Sequence, residues 1–281
     1  MPKKKNLIWL ASYPKSGNTW VRLFLSNYLN TENKPIGIND INSSIISSSR
    51  TIFDSYTPFL SSDLNHEEID NIRPEVYKSI SKENDKFVYI KTHDAFTQNT
   101  DNKNIFPLSV THSVIHIVRN PLDVAISYSH HSNISIDKSI SSLNKEHSLS
   151  ASSKHLNPQL RQKMLTWSAH YLSWKNISDN YILVKYEDLI ENPILEFSRI
   201  IEHIYKNVNK EKIVEAVKLS SFQNLKKQEE KGNFKERAIN SKAFFRKGKA
   251  GSWKEEMSPK QVEEIINKHS KVMKELGYLD N

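Results

Sequence analysis

Leu7-Ile8-Trp9-Leu10-Ala11-Ser12-Tyr13-Pro14-Lys15-Ser16-Gly17-Asn18-Thr19-Trp20 passes from a continuous apolar run, through a short loop, into a helical pattern. Leu7 to Ser12 reads as a short buried strand. Asn18 to Leu29 reads as a helix, because Trp20, Leu23, Phe24 and Tyr28 recur at helical spacing. A strand that runs straight into a helix leaves the N–H groups of Ser16 to Thr19 pointing at a bound anion, which the helix dipole favours. Lys15 adds a point charge, Ser16 and Thr19 add hydroxyl donors, and Gly17 permits close backbone approach. An ordinary helix start with a surface lysine has the same outline. Two hydroxyls, a glycine and a lysine packed into five residues at this junction favour phosphate. The pattern G-x-x-x-x-G-K-[ST] is absent and Lys15 stands before the glycine, so a γ-phosphate with Mg²⁺ is not implied.

Outward from this stretch, three more apolar runs read as strands: Phe87 to Ile90, Val114 to Val118 and Tyr181 to Lys185. Helical patterns at Leu122 to His130, Gln159 to Trp174 and Pro193 to Tyr205 separate them. Continuously apolar strands alternating with helices imply an α/β fold with a parallel sheet covered on both faces. Such sheets bind ligands beyond the carboxyl ends of their strands. Lys15, Lys91, His93, Arg119 and Tyr186 all follow apolar runs. Residues 30–60 read as loop with short helices at most, Glu67 to Ser81 as a helix interrupted by Pro74, and 132–153 as a Ser-rich flexible loop. Gln261 to Leu276 closes the chain as an amphipathic helix. With no internal repeat and no clear linker, one domain over residues 1–281 is expected.

Composition narrows the function. A chain of 281 residues, 37% hydrophobic and 26% charged, is globular rather than disordered. Lys and Arg outnumber Asp and Glu by 40 to 32, which suits a polyanion, a phosphorylated nucleotide or an anionic acceptor. The absence of cysteine excludes disulfides and thiolate metal sites. The apolar run after Lys5 is shorter than the roughly 7–15 residues of a signal-peptide core. No run approaches the ~20 apolar residues of a membrane helix. A cytoplasmic protein with no membrane partner is the expectation.

Three further segments carry chemistry. Lys91-Thr92-His93 follows a strand directly, where a histidine can serve as general base. Arg119, at a strand end, and Ser127, on the next helix, can donate to one phosphate; an Arg119–Asp123 pair at the helix start suits the residue types equally. Phe244-Phe245-Arg246-Lys247-Gly248-Lys249-Ala250-Gly251-Ser252-Trp253-Lys254 is a cationic loop, too short a footprint for nucleic acid without an accompanying binding motif.

Taken in order, these segments resemble the cytosolic-type sulfotransferases that use 3′-phosphoadenosine 5′-phosphosulfate (PAPS). Residues 13–20 resemble the family's 5′-phosphosulfate loop, with Asn18 where Thr or Ser is commoner. Lys91-Thr92-His93 resembles its catalytic segment, followed here by Asp94-Ala95 in place of Leu-Pro. Arg119 and Ser127 resemble its 3′-phosphate strand and helix. Tyr186 of Lys185-Tyr186-Glu187-Asp188-Leu189, and Ser220, Phe222 and Leu225, resemble nucleotide contacts. Arg246 to Lys254 resembles its C-terminal phosphate loop, with Ser252 replacing the usual Asp.

The resemblance implies a three-layer, P-loop NTPase-like sandwich with PAPS as sulfuryl donor, 3′-phosphoadenosine 5′-phosphate (PAP) as product, and no metal. It places the phosphosulfate on Lys15, Ser16, Gly17, Asn18 and Thr19. The adenine lies between Trp20 and Phe222, and the 3′-phosphate on Arg119, Ser127, Arg246, Lys247 and the Gly248 N–H. His93 acts as base and Lys15 and Lys91 as charge clamps, with Ser127's counterpart also touching that of Lys15. The acceptor is a small molecule with a hydroxyl, or an amine or guanidinium nitrogen, and Pro14, Tyr128, His130, His131 and Phe244 are candidate walls of its pocket. The family's dimerisation pattern keeps only its ends, Lys254 and Glu263, which implies a monomer or weak homodimer. A nucleotide kinase of related fold and a non-catalytic nucleotide-binding protein are the alternatives.

Overall fold

The computed structural model describes residues 4–32, 34–41, 44–150, 156–175, 177–205, 207–232, 234–237, 241 and 243–280. In chain order the elements are β1 (Leu7–Ser12), α1 (Asn18–Leu29), β2 (Ser44–Ile46), α2 (Arg50–Ser55), α3 (His66–Glu83), β3 (Val88–Thr92), β4 (Thr111–Val118), α4 (Pro121–Ser132) and α5 (Ile136–Asn144). There follow β5 (Ser148–Leu149), β6 (Gln162–Lys163), α6 (Trp167–Trp174), β7 (Tyr181–Lys185), α7 (Tyr186–Glu191), α8 (Pro193–Ile204), α9 (Lys210–Leu219), α10 (Phe222–Lys231), α11 (Trp253–Glu256) and α12 (Pro259–Glu275).

Five strands form one sheet in the order β2-β3-β1-β4-β7, every pair parallel. Strand β1 is buried along its whole length, as a central parallel strand must be. Its alternate residues feed two separate cores. Ile8 and Leu10 pack with Ile115, Ile117 and Val184 against α1, α8 and α9. Leu7, Trp9 and Ala11 pack with Ile90 and Val114 against α2, α3 and Trp174 of α6. A third cluster joins α4, α5, α6 and α12 over Val118. The result is the expected three-layer α/β sandwich. Among the described residues no helix is long and apolar enough to cross a membrane.

The structure departs from expectation in three helices. α3 runs unbroken through Pro74. A mid-helix proline costs about 3 kcal/mol, but Ile69, Val76, Tyr77 and Ile80, on both sides of it, are all buried in the same core and keep the halves collinear. Residues 159–166 are not helical; α6 starts at Trp167, capped by the Thr166 side chain. Tertiary bonds claim the preceding backbone, Leu160 N–H donating to Ser48 O at 2.7 Å and Lys163 N–H to Asp94 Oδ1 at 3.0 Å. Within 132–153, residues 136–144 form α5, capped by Ser135 and anchored by buried Ile140 and Leu143; residues 151–153 lie outside the described residues. The loop expected at 30–60 also contributes the edge strand β2.

Candidate active site

Sheet register assembles the site. Leu10 pairs with Lys91 and Ala11 with Thr92 on one side of β1, and Ser12 pairs with Ile117 on the other. The residues just beyond these positions, on the loop to α1, at His93 and at Arg119, therefore emerge together at the carboxyl edge. Lys15 and Gly17 both adopt positive φ, 69° and 107°, which curls the loop tightly before the first turn of α1. Gly17 cannot be replaced there, since a Cβ would sit 2.7 Å from Cδ2 of Tyr186, whose ring lies against it. The Asn18 side chain donates back to Leu10 O at 2.8 Å and Ser12 Oγ at 3.1 Å, tying the helix start to β1.

A cavity of about 720 Å³ opens on this edge. Lys15, Gly17, Asn18, Thr19 and Trp20 line it from the first loop and α1, and Lys91 and His93 from the end of β3. Arg119, Ser127 and Tyr186 line it from β4, α4 and α7; Phe222, Leu225, Arg246, Lys247 and Gly248 complete it from the C-terminal third. Of the residues expected at the site, two stand apart from the lining. Ser16 is buried behind the loop with no partner for its Oγ, and Ser220 donates to Ala216 O at 2.7 Å inside the α9 end.

Arg119 joins the first loop to the last, donating to Lys15 O at 3.2 Å and Lys249 O at 3.4 Å, with its guanidinium 4.3 Å from the Tyr186 ring centre. Its Nε is buried without a partner. Asp123, the other partner considered for Arg119, instead accepts from the Gly251 and Trp253 N–H groups at 2.7 and 3.2 Å and moors the cationic loop. In that loop Arg246 pairs with Glu256 at 2.8 Å, and Lys247 with Glu255 and Glu256 at 2.8 Å each. Gly248, at φ 61°, lies so close to Phe222 that a Cβ would fall 2.2 Å from the ring.

His93 is held from two sides. Its Nδ1 lies 2.8 Å from Ser12 O, a distance at which Nδ1–H donates, leaving the lone pair on Nε2. Its carbonyl accepts from His170 Nε2 at 3.1 Å. Burial, and next the charge on Lys91, keep the imidazole well below the usual histidine range, so it is neutral at pH 7. Burial beside Lys91 and Arg119 pulls the Lys15 ammonium down to about 7; Lys15 Nζ also lies 4.0 Å from the Phe244 ring centre.

Sequence reasoning missed several neighbours and named another, His131, only as a candidate wall of the acceptor pocket. Asp94 pairs with the fully buried Arg73 at 2.9 Å and anchors the segment after His93. His131 lines the cavity from α4 with its Nδ1 buried and unpartnered, and burial plus Lys15 and Lys91 lower it to about 4. Arg22 and Glu236 meet at 2.6 Å beside Lys91. Arg22 alone left a trace in the sequence: it stands three residues after Thr19, on the same helix face.

A family model for the sulfotransferase domain matches residues 5–277. The chain belongs to the sulfotransferase family. This sulfotransferase is similar to Sulfotransferase 2A1 of Rattus norvegicus, 26% identical over 270 residues that cover 93% of this chain and 82% of that protein. It is similar to flavonol 4′-sulfotransferase of Flaveria chlorifolia, 27% identical over 271 residues, 92% of this chain and 76% of that one. Among solved structures it shares the fold of a mouse sulfotransferase complexed with PAP, with TM-score 0.61, 20% identity, and coverage of 99% and 91%. It also shares that of a retinol dehydratase in complex with retinol and PAP, with TM-score 0.64, 18% identity, and coverage of 98% and 83%. The P-loop NTPase-like sandwich is thus common to all three.

Proposed function

We propose that this sulfotransferase moves a sulfuryl group from PAPS to a hydroxyl of a small molecule, with His93 as general base. The observation that carries the reading is the bond from His93 Nδ1 to Ser12 O, which presents a neutral Nε2 to a cavity shared with Lys15, Lys91, Arg119 and Arg246.

The walls fit the donor. Trp20 Nε1, Arg119 Nε and Ser252 Oγ are buried polar atoms without protein partners on residues that line this cavity. Buried polar groups usually find partners, so three such atoms on the walls of one cavity favour a polar ligand there. Gly17 and Gly248 each bring backbone against an aromatic ring that walls the cavity, Tyr186 and Phe222, leaving flat apolar surface of the kind a base stacks on. The loop from Lys15 to Thr19 would hold the 5′-phosphosulfate; Arg119, Ser127, Arg246, Lys247 and the Gly248 N–H would hold the 3′-phosphate.

PAPS supplies the sulfuryl group, whose bond to the 5′-phosphate oxygen breaks as the acceptor oxygen bonds to sulfur. His93 Nε2 takes the proton of the acceptor hydroxyl as that bond forms. Lys15 and Lys91 offset the charge that grows on the sulfuryl and departing phosphate oxygens, a preorganised electrostatic contribution. A nitrogen acceptor would need the same base.

The test is His93→Ala, assayed for PAP formation across an acceptor panel alongside calorimetric PAP binding. Turnover should fall by roughly 10²–10⁴-fold while PAP affinity stays within a factor of about three. Unimpaired turnover would remove His93 from the reaction.

A further inference from the structure

The cavity is built for anions, yet one carboxylate projects into it. Glu236 is the only acidic residue among the described residues that line it. It accepts from Arg22 Nη1 at 2.6 Å, from Thr19 Oγ1 at 3.3 Å and from Lys91 Nζ at 3.5 Å. Arg22, almost wholly buried, donates in turn through Nε to Ser44 Oγ of β2 at 2.8 Å. One carboxylate from near the C-terminal third therefore bridges α1, the phosphate loop and the end of β3. Nothing in a surface ion pair requires such convergence.

We propose that Glu236 is a positioning residue for sulfuryl transfer: it aims the Lys91 ammonium at the reacting end and closes residues 234–237 over the phosphate loop. This inference rests on the sulfotransferase reading of the site. Lys91 is the lysine of the cluster that this carboxylate touches directly. Burial pulls its ammonium below the ordinary lysine range, and among nearby charges Glu236 alone acts against that. The cationic groups around it oppose its charge, Arg22 from α1 and Lys15 from the loop after β1, while His93 beyond β3 and His131 from α4 face it as neutral rings. Burial works against the Glu236 carboxylate as well, but Lys91 and Arg22 hold it down to about 2, so it stays charged across the working pH range.

The rival role for the same carboxylate is a stand-in anion that the donor must displace. The two predict opposite outcomes for Glu236→Gln, which keeps shape and a hydrogen bond to Arg22 but removes the charge. A positioning residue makes three predictions for this variant in the full chain. With PAPS and 2-naphthol, kcat falls about tenfold or more while the PAPS KM stays within about threefold. The alkaline limb of the pH profile moves to lower pH by about one unit, a tenfold change in the Lys91 protonation constant. Glu236→Asp recovers part of the rate. Carbon-13 NMR titration of Lys91, identified by its loss in Lys91→Arg, reads the same shift without nucleotide. An unshifted Lys91 titration in Glu236→Gln, or PAP binding that tightens tenfold, overturns the proposal. Failure of the unsubstituted chain to bind PAP would instead overturn the donor reading, and the lysine titration would still decide the role of Glu236.

Discussion

Binding of PAP should draw a proton onto Lys15, and the affinity should therefore fall steeply above neutral pH. In the nucleotide-free chain this ammonium titrates at about 7, because burial and the charges of Lys91 and Arg119 disfavour it. A phosphate anion seated on the loop reverses that balance and restores the ordinary lysine value near 10.5. The direction follows from the proton count: the complex holds more protons than the free protein between those two values, so raising the pH weakens binding. At pH 8 the free lysine is about one-tenth protonated, so binding takes up about 0.9 proton; from pH 7 to 9 the affinity falls about 50-fold through this group alone. The window is clean, since the second ionisations of PAP's own phosphates lie near 6. Calorimetric titrations in HEPES and Tris, whose ionisation enthalpies differ, give the proton number as a slope. Lys15→Met should remove most of that slope. An uptake below about 0.2 proton at pH 8 in the unsubstituted chain would refute both the depressed lysine and its contact with the anion.

Two further outcomes test a wall of the site and the buried ion pair behind it. Arg246→Ala should weaken PAP by roughly tenfold, the scale of a charge-assisted hydrogen bond partly offset by Arg246's existing pair with Glu256, while 5′-AMP binding changes little; equal losses for both nucleotides would take Arg246 away from the 3′-phosphate. Asp94→Ala should cost about 3 kcal/mol in urea unfolding, because it leaves the Arg73 guanidinium buried with only Asp70, 3.5 Å away, as counter-charge. A loss under about 1 kcal/mol would show that the pair is not structural.

Much of the site could be read before any coordinates were known. β1, α1 and β7 have the bounds their apolar runs imply, and His93, Lys91, Lys15 and Arg119 do meet at one edge. A parallel strand announces itself by continuous apolarity and a phosphate loop by turn and hydroxyl residues, all within a dozen positions. Pairing those strands in register then forces their carboxyl ends together, whatever the intervening loops do.

Other features depend on where distant parts of the chain return. Pro74 lies inside one straight helix only because four side chains around it share a buried core, and Gln159 to Thr166 leave the helical path because Ser48 and Asp94 take their N–H groups. Glu236 shows the division most sharply. Arg22 and Glu236 stand 214 positions apart, and neither residue's neighbours in the chain predict the contact. The strand-loop-helix pattern alone pointed to an anion-binding loop at the edge of a parallel sheet. Only the packed structure decided which carboxylate stands among the lysines, because an ion pair is selected by distance in space and by the loss of water around it, neither of which is written in local order.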